Sequence, residues 1–221
     1  MDRMSASTSD RPVSRRRETT QRRLFEAAVA LISEQGYEAT TVDEIAGRAG
    51  VAKGTVYYNF GGKSELYTAL MEWGVTRLAD TLKGALPPSG SGTAPGEALT
   101  AVLRAGVEFI GEHESLARLL MAEAWRTNRA WYATVLQIRT EAIGVITGLL
   151  DELTADGSLP PDLDTGLAGS ALFGMVVTVA LDWRTLRPDR PVEEVHMALA
   201  RMVEGLVGPV ASTGGTSTRD F

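Results

Sequence analysis

Thr40-Thr41-Val42-Asp43-Glu44-Ile45-Ala46-Gly47-Arg48-Ala49-Gly50-Val51-Ala52-Lys53-Gly54-Thr55-Val56-Tyr57-Tyr58-Asn59-Phe60-Gly61-Gly62-Lys63 decides how the chain is read. Thr41 with Glu44 three residues on is the spacing of a capping box, in which two side chains satisfy the donors a helix start leaves unpaired. Val42, Ile45, Ala46 and Ala49 follow at i, i+3, i+4 and i+7, one apolar stripe on a two-turn helix. Gly50 stops that helix, because glycine takes the left-handed conformation at no steric cost. A second short helix is expected from Lys53 to Phe60, with Val56 and Phe60 turned inward. Two short helices around a tight glycine turn make a helix-turn-helix.

The outward face of the second helix carries Lys53, Gly54, Thr55, Tyr57, Tyr58 and Asn59. These are donors to phosphate oxygens and base edges, with a glycine that lets the backbone come close. Lys53 and Lys63 both sit where helices begin, an unfavourable place for a cation unless an anion is held there too. DNA phosphate is the natural anion, since helix starts also offer free N–H groups. Tyr57 and Thr55 are expected at bases or sugar. Lys53, Gly54, Tyr58, Asn59, Thr41 and Lys63 are expected along the phosphate backbone.

The run Thr41-Val42-Asp43-x-Ile45-Ala46-x-x-Ala49-Gly50-Val51-x-Lys53-Gly54-Thr55-Val56-Tyr57-x-x-Phe60-x-x-Lys63 closely resembles the DNA-binding segment of the tetracycline-repressor (TetR) family. The resemblance covers residues 18–75 in sequence and only organisation beyond them. Two positions depart from the family pattern. Ala52 stands where a serine often precedes the lysine, and Asn59 where a histidine often follows the first tyrosine.

The 221 residues are 44% hydrophobic, enough for a small domain and a larger one. The net charge of −6 is unevenly spread: residues 1–63 hold 10 Lys and Arg against 8 Asp and Glu, whereas residues 64–221 hold 12 against 20. A mildly basic head on an acidic body suits a protein that touches DNA with one end. The absence of cysteine excludes disulfides, thiolate metal sites and thiol redox sensing. Met1–Arg17 has no apolar core of a signal peptide. The longest uncharged stretch, Thr165–Leu181, is 17 residues with three glycines, a poor membrane span. A soluble, cytoplasmic protein is expected.

Residues 1–14 have the composition of a disordered arm. Arg15, Arg16 and Arg17 then either follow the minor groove or solubilise the tail. Residues 15–63 are expected to form the DNA-binding domain, its first helix running from about Glu18 to Gln35 with Leu24, Ala27, Ala28 and Leu31 buried. Residues 64–207 are expected to form a helical effector-binding and dimerisation domain. A connecting helix over 63–83 and a Pro/Gly/Ser loop over 84–96 lead into helical patterns near 97–112, 115–127, 130–155, 164–185 and 192–207. Residues 208–221 read as a flexible tail. No strand alternation or repeat is present, so the class is all-α, a three-helix DNA-binding head followed by a helical body.

Thr165–Leu181 is apolar nearly all round and rich in small residues, which calls for burial on several sides. With Ala198, Met202, Val203 and Leu206 it forms a candidate homodimer interface through the last two helices, about 164–207, as the family resemblance implies. That resemblance also implies a small hydrophobic effector in the body. Trp73, Phe109, Met121, Trp125 and Phe173 are candidates to line its site, although for any one of them the residues alone favour a place in the plain core. Glu108 and Glu123 would suit a cationic ligand if they point inward. No catalytic, cofactor or metal site is expected. His113 and His196 lie far apart, and Gly61-Gly62-Lys63-Ser64 lacks the earlier glycine and the strand of a phosphate-binding loop. The reading is a dimeric repressor released from a palindromic operator by a small molecule; a DNA-binding regulator governed by abundance or a protein partner is the alternative.

Overall fold

The computed structural model describes residues 11–88, 90–123, 126–127 and 131–207, with the side chains of 11–15, 138, 206 and 207 left aside. Among the described residues there are nine helices: α1 (Arg11–Gln35), α2 (Val42–Ala49), α3 (Lys53–Phe60), α4 (Lys63–Gly84), α5 (Pro95–Glu112), α6 (Glu114–Glu123), α7 (Tyr132–Ala155), α8 (Thr165–Leu186) and α9 (Val192–Val207). The all-α class is as expected. Helix α1 starts at Arg11, so residues 11–14 are helical rather than part of a disordered arm. Arginine and glutamate favour helix, and Pro12 sits in the first turn, where a missing N–H costs nothing. Residues 1–10 and 208–221, the rest of the expected arm and the expected tail, lie outside the described residues. Pro95 likewise opens α5 two residues before the pattern predicts.

The described chain forms two compact units that do not follow sequence order. The first draws on Met1–Thr81 and Phe109–Ala142, the second on Leu82–Glu108 and Ile143–Phe221. In the first, Leu24, Ala28 and Leu31 of α1 meet Ile45, Ala46 and Ala49 of α2, Val56 of α3, and Leu66, Tyr67, Leu70 and Met71 of α4, all buried. Helices as short as α2 and α3 do not persist alone, and this shared core is what holds them. Phe25 ties α3 to α4 by lying 5.4 Å from the Phe60 ring and 5.6 Å from Trp73.

The second unit buries Leu99, Leu103, Ile146, Leu150, Leu172, Val176, Leu199 and Val203. Helices α7 and α8 approach closely at Gly169, where an added Cβ would overlap the Thr147 hydroxyl and force it to move. By length and composition alone α7 and α8 could each cross a bilayer. Helix α8 is not buried all round: Leu167 is 71% and Leu186 69% exposed, with Met197 and Met202 of α9 also out.

Candidate nucleic-acid interface

Helix α2 starts on the expected capping box. Thr41 Oγ1 accepts from the Glu44 N–H at 3.2 Å, and Glu44 Oε2 accepts from the Thr41 N–H at 2.8 Å and from the Thr41 hydroxyl at 2.8 Å. Hydrogen bonds from the Thr41 hydroxyl, from its N–H and from Gln35 hold the Glu44 carboxyl below its usual value. The helix ends at Gly50, left-handed at φ 64°, whose carbonyl accepts from Arg23 Nη2 at 3.4 Å. A side chain at Gly50 would meet backbone strain and the Arg23 guanidinium together. Arg48 donates to Glu34 of α1 at 2.6 Å, fixing the outer side of the turn.

Helix α3 begins after Ala52, which offers no side-chain cap, and is anchored by fully buried Val56. That anchor turns Lys53, Gly54, Tyr57 and Tyr58 to solvent, Tyr57 at 48% and Tyr58 at 84% exposure. The Tyr58 phenol, this exposed, gains little from the core. An added Cβ at Gly54 meets no atom within 4 Å, so nothing inside the chain requires glycine there.

Other sequence-predicted contacts have partners within the chain. Lys63 Nζ donates to the carbonyls of Tyr37 at 2.7 Å, Thr40 at 2.9 Å and Glu38 at 3.3 Å, and lies 4.2 Å from the centre of the Tyr37 ring. An ammonium has three protons, and these three carbonyls can take all of them, so Lys63 holds the α1–α2 turn. Thr41 spends its hydroxyl on the cap. Asn59 turns its amide back to the Thr55 carbonyl at 2.8 Å, and Thr55 is half-buried. Lys53 remains on the exposed face, but its Nζ donates to Asp43 Oδ2 at 2.7 Å, which holds the ammonium above its ordinary value. Asp43 and Tyr37 were missed in the sequence because their partners are 10 and 26 residues away.

The predicted ligand residues are divided. Trp73, Phe109 and Met121 belong to the first unit and Phe173 to the second, while Trp125 lies outside the described residues. Trp73 lines a pocket of about 350 Å³ in the first unit with Phe25, Arg77, His113 and Leu116. Phe109 is buried and stacks on His113 at 4.4 Å; Met121 is exposed and Phe173 half-buried. Glu123 is buried and accepts from the Trp131 indole N–H at 2.9 Å, so it is engaged within the protein, and Glu108 stands 3.6 Å from His196. Among the described residues no cluster of three or more His, Asp or Glu could hold a metal ion.

Residues 24–70 match the pattern of bacterial regulatory proteins of the tetR family, and residues 92–205 that of the tetracyclin repressor-like C-terminal domain. The chain belongs to the TetR family. It is similar to the HTH-type transcriptional repressor KstR2 of Mycolicibacterium smegmatis, 30% identical with 74% of this chain and 77% of the relative covered. The HTH-type transcriptional activator FasR of the same organism is 31% identical, with 77% of this chain and 74% of the relative covered. The fold is also that of the transcriptional regulator FadR from Bacillus subtilis in complex with stearoyl-CoA, with a TM-score of 0.71 at 21% identity over 86% of this chain and 98% of that one. This TetR-family chain is a DNA-binding transcriptional regulator, and α2 and α3 are its helix-turn-helix.

Proposed function

We propose that the protein is a cytoplasmic homodimer that represses transcription from a palindromic operator and is released by a small hydrophobic effector. The observation that carries the DNA half is the face of α3: two phenols and a lysine stand exposed around a glycine whose missing side chain no internal contact explains. On this reading α3 lies in the major groove, with Tyr57 at base edges and Lys53, Gly54 and Tyr58 at the backbone. The apolar side chains exposed on α8 and α9, Leu167, Leu186, Met197 and Met202, support pairing through those helices. A pair of heads about 34 Å apart then meets successive major grooves.

For the effector we favour the pocket beside Trp73, whose walls are Phe25 and Val29 of α1, Trp73 and Arg77 of α4, and Leu116 of α6. A ligand there touches the first helix of the DNA-binding head and would bias its position directly. The Bacillus subtilis regulator with stearoyl-CoA bound supports an apolar effector class. A coupling of about 1–3 kcal/mol between effector and operator would change affinity roughly 5- to 150-fold. Similarity to FasR, named an activator, supports the opposite sign of regulation as a second reading. Transcription from the operator in vitro, with and without the protein, separates the two.

The test of the DNA reading is selection of bound duplexes from a random pool by the purified protein at fixed salt. An enriched palindrome with half-sites one helical turn apart is expected. Retention of duplexes without any enriched sequence would contradict it.

A further inference from the structure

Asp43 is an acidic residue beside the exposed face of α3, paired with the lysine of that face. It sits in the first turn of α2, where the helix dipole favours an anion, while Lys53 sits in the first turn of α3, where the dipole disfavours a cation. The two meet at 2.7 Å, with side chains 64% and 53% exposed. Exposed pairs of this kind add little to folding. What the pair does change is the charge that α3 presents: the one lysine on the exposed face is met by a carboxylate before any phosphate arrives. A carboxylate and a phosphate oxygen compete for the same ammonium, and the carboxylate also repels the phosphate.

We propose that Asp43 is an internal competitor for Lys53 that holds down the protein's affinity for DNA phosphate and thereby limits its binding to unrelated sequence. Non-specific binding is almost wholly phosphate contact, so a cation neutralised in advance is missed most there. The hydrogen bond and charge of Asp43 that raise the Lys53 pKa are the same interactions the phosphate must replace. Asp43 is thus a positioning residue acting through Lys53. The inference rests on the reading of α3 as the DNA-facing helix.

The experiment is a double-mutant cycle, with the dimer-competent full chain titrated against a fluorescent duplex of scrambled sequence over a range of KCl. Wild type, Asp43→Asn, Lys53→Ala and the double variant are compared, each first checked for an unchanged melting transition. Asp43→Asn is expected to bind about two- to five-fold tighter, with a salt dependence steeper by up to about one unit of slope. In the Lys53→Ala background the same change should have a smaller effect. Asp43→Ser provides a second charge-free variant and should move affinity in the same direction. Tightening by the same factor with and without Lys53, or no tightening in Asp43→Asn and Asp43→Ser, overturns the inference. If Lys53→Ala leaves affinity and slope as in wild type, the DNA-facing reading of Lys53 itself falls. If Lys53→Ala weakens binding while the Asp43 variants are neutral, only the role of Asp43 falls.

Discussion

Lys63 separates two kinds of lysine that a sequence presents identically. Both Lys53 and Lys63 open helices and both read as phosphate ligands, yet Lys63 closes the α1–α2 turn by donating to three carbonyls, while Lys53 stays on the surface. The carbonyls lie 23 to 26 residues away, beyond any helical spacing, which is why no local pattern distinguishes the two. Thr41 and Asn59 also have partners within the chain, since a side chain that can reach DNA can also reach backbone nearby. Lys63→Ala leaves the Tyr37 and Thr40 carbonyls without their charged donor. It is expected to cost about 1–3 kcal/mol of stability, read as a lowered urea midpoint. Its salt dependence on duplex DNA should equal that of wild type. A slope flattened by about one unit would return Lys63 to the phosphate backbone.

The elements were legible wherever punctuation is local. The capping box at Thr41, the Gly50 stop and the 3.6-residue stripes put α2 and α3 at the bounds that the structure gives, because each signal acts within one or two turns. Helix α1 was read seven residues short, because arginines without an apolar stripe carry no periodicity while still favouring helix. How helices pack escaped the sequence altogether. Nothing in the spacing of Trp73 tells that it faces Phe25 and a pocket, or that Glu123 is held by Trp131. At Ala52 the sequence and the structure agree that a cap is missing from α3. Ala52→Ser should supply it and raise stability by about 0.5–1 kcal/mol in thermal or urea unfolding. No gain would mean that the Thr55 N–H, already bonded to the Ala52 carbonyl at 2.8 Å, cannot be shared with a hydroxyl.

At the scale of the whole molecule, the charge is uneven along the chain, and the second unit contains a buried titratable group. His196 of α9 is buried, and that burial holds its imidazole below the ordinary value. Glu108 of α5 and Glu193 of α9 pull the other way, and Arg104 of α5 adds to the depression. The unfolded chain therefore takes up the proton first as pH falls. The stability from burying a neutral His196 is complete above about pH 6.5 and lost progressively below it. Melting temperature should drop between about pH 7 and pH 5.5, and His196→Gln should make that drop smaller; an equal drop in the variant would place the titration elsewhere. The proposed function requires that the exposed face of α3 read bases. Its most direct test is the affinity of wild type and Tyr57→Ala for a selected operator and for a scrambled duplex of the same composition at one salt concentration. The account predicts a larger loss on the operator, lowering the ratio of the two affinities by the roughly 1–3 kcal/mol of a base contact. Equal losses on both duplexes would contradict it.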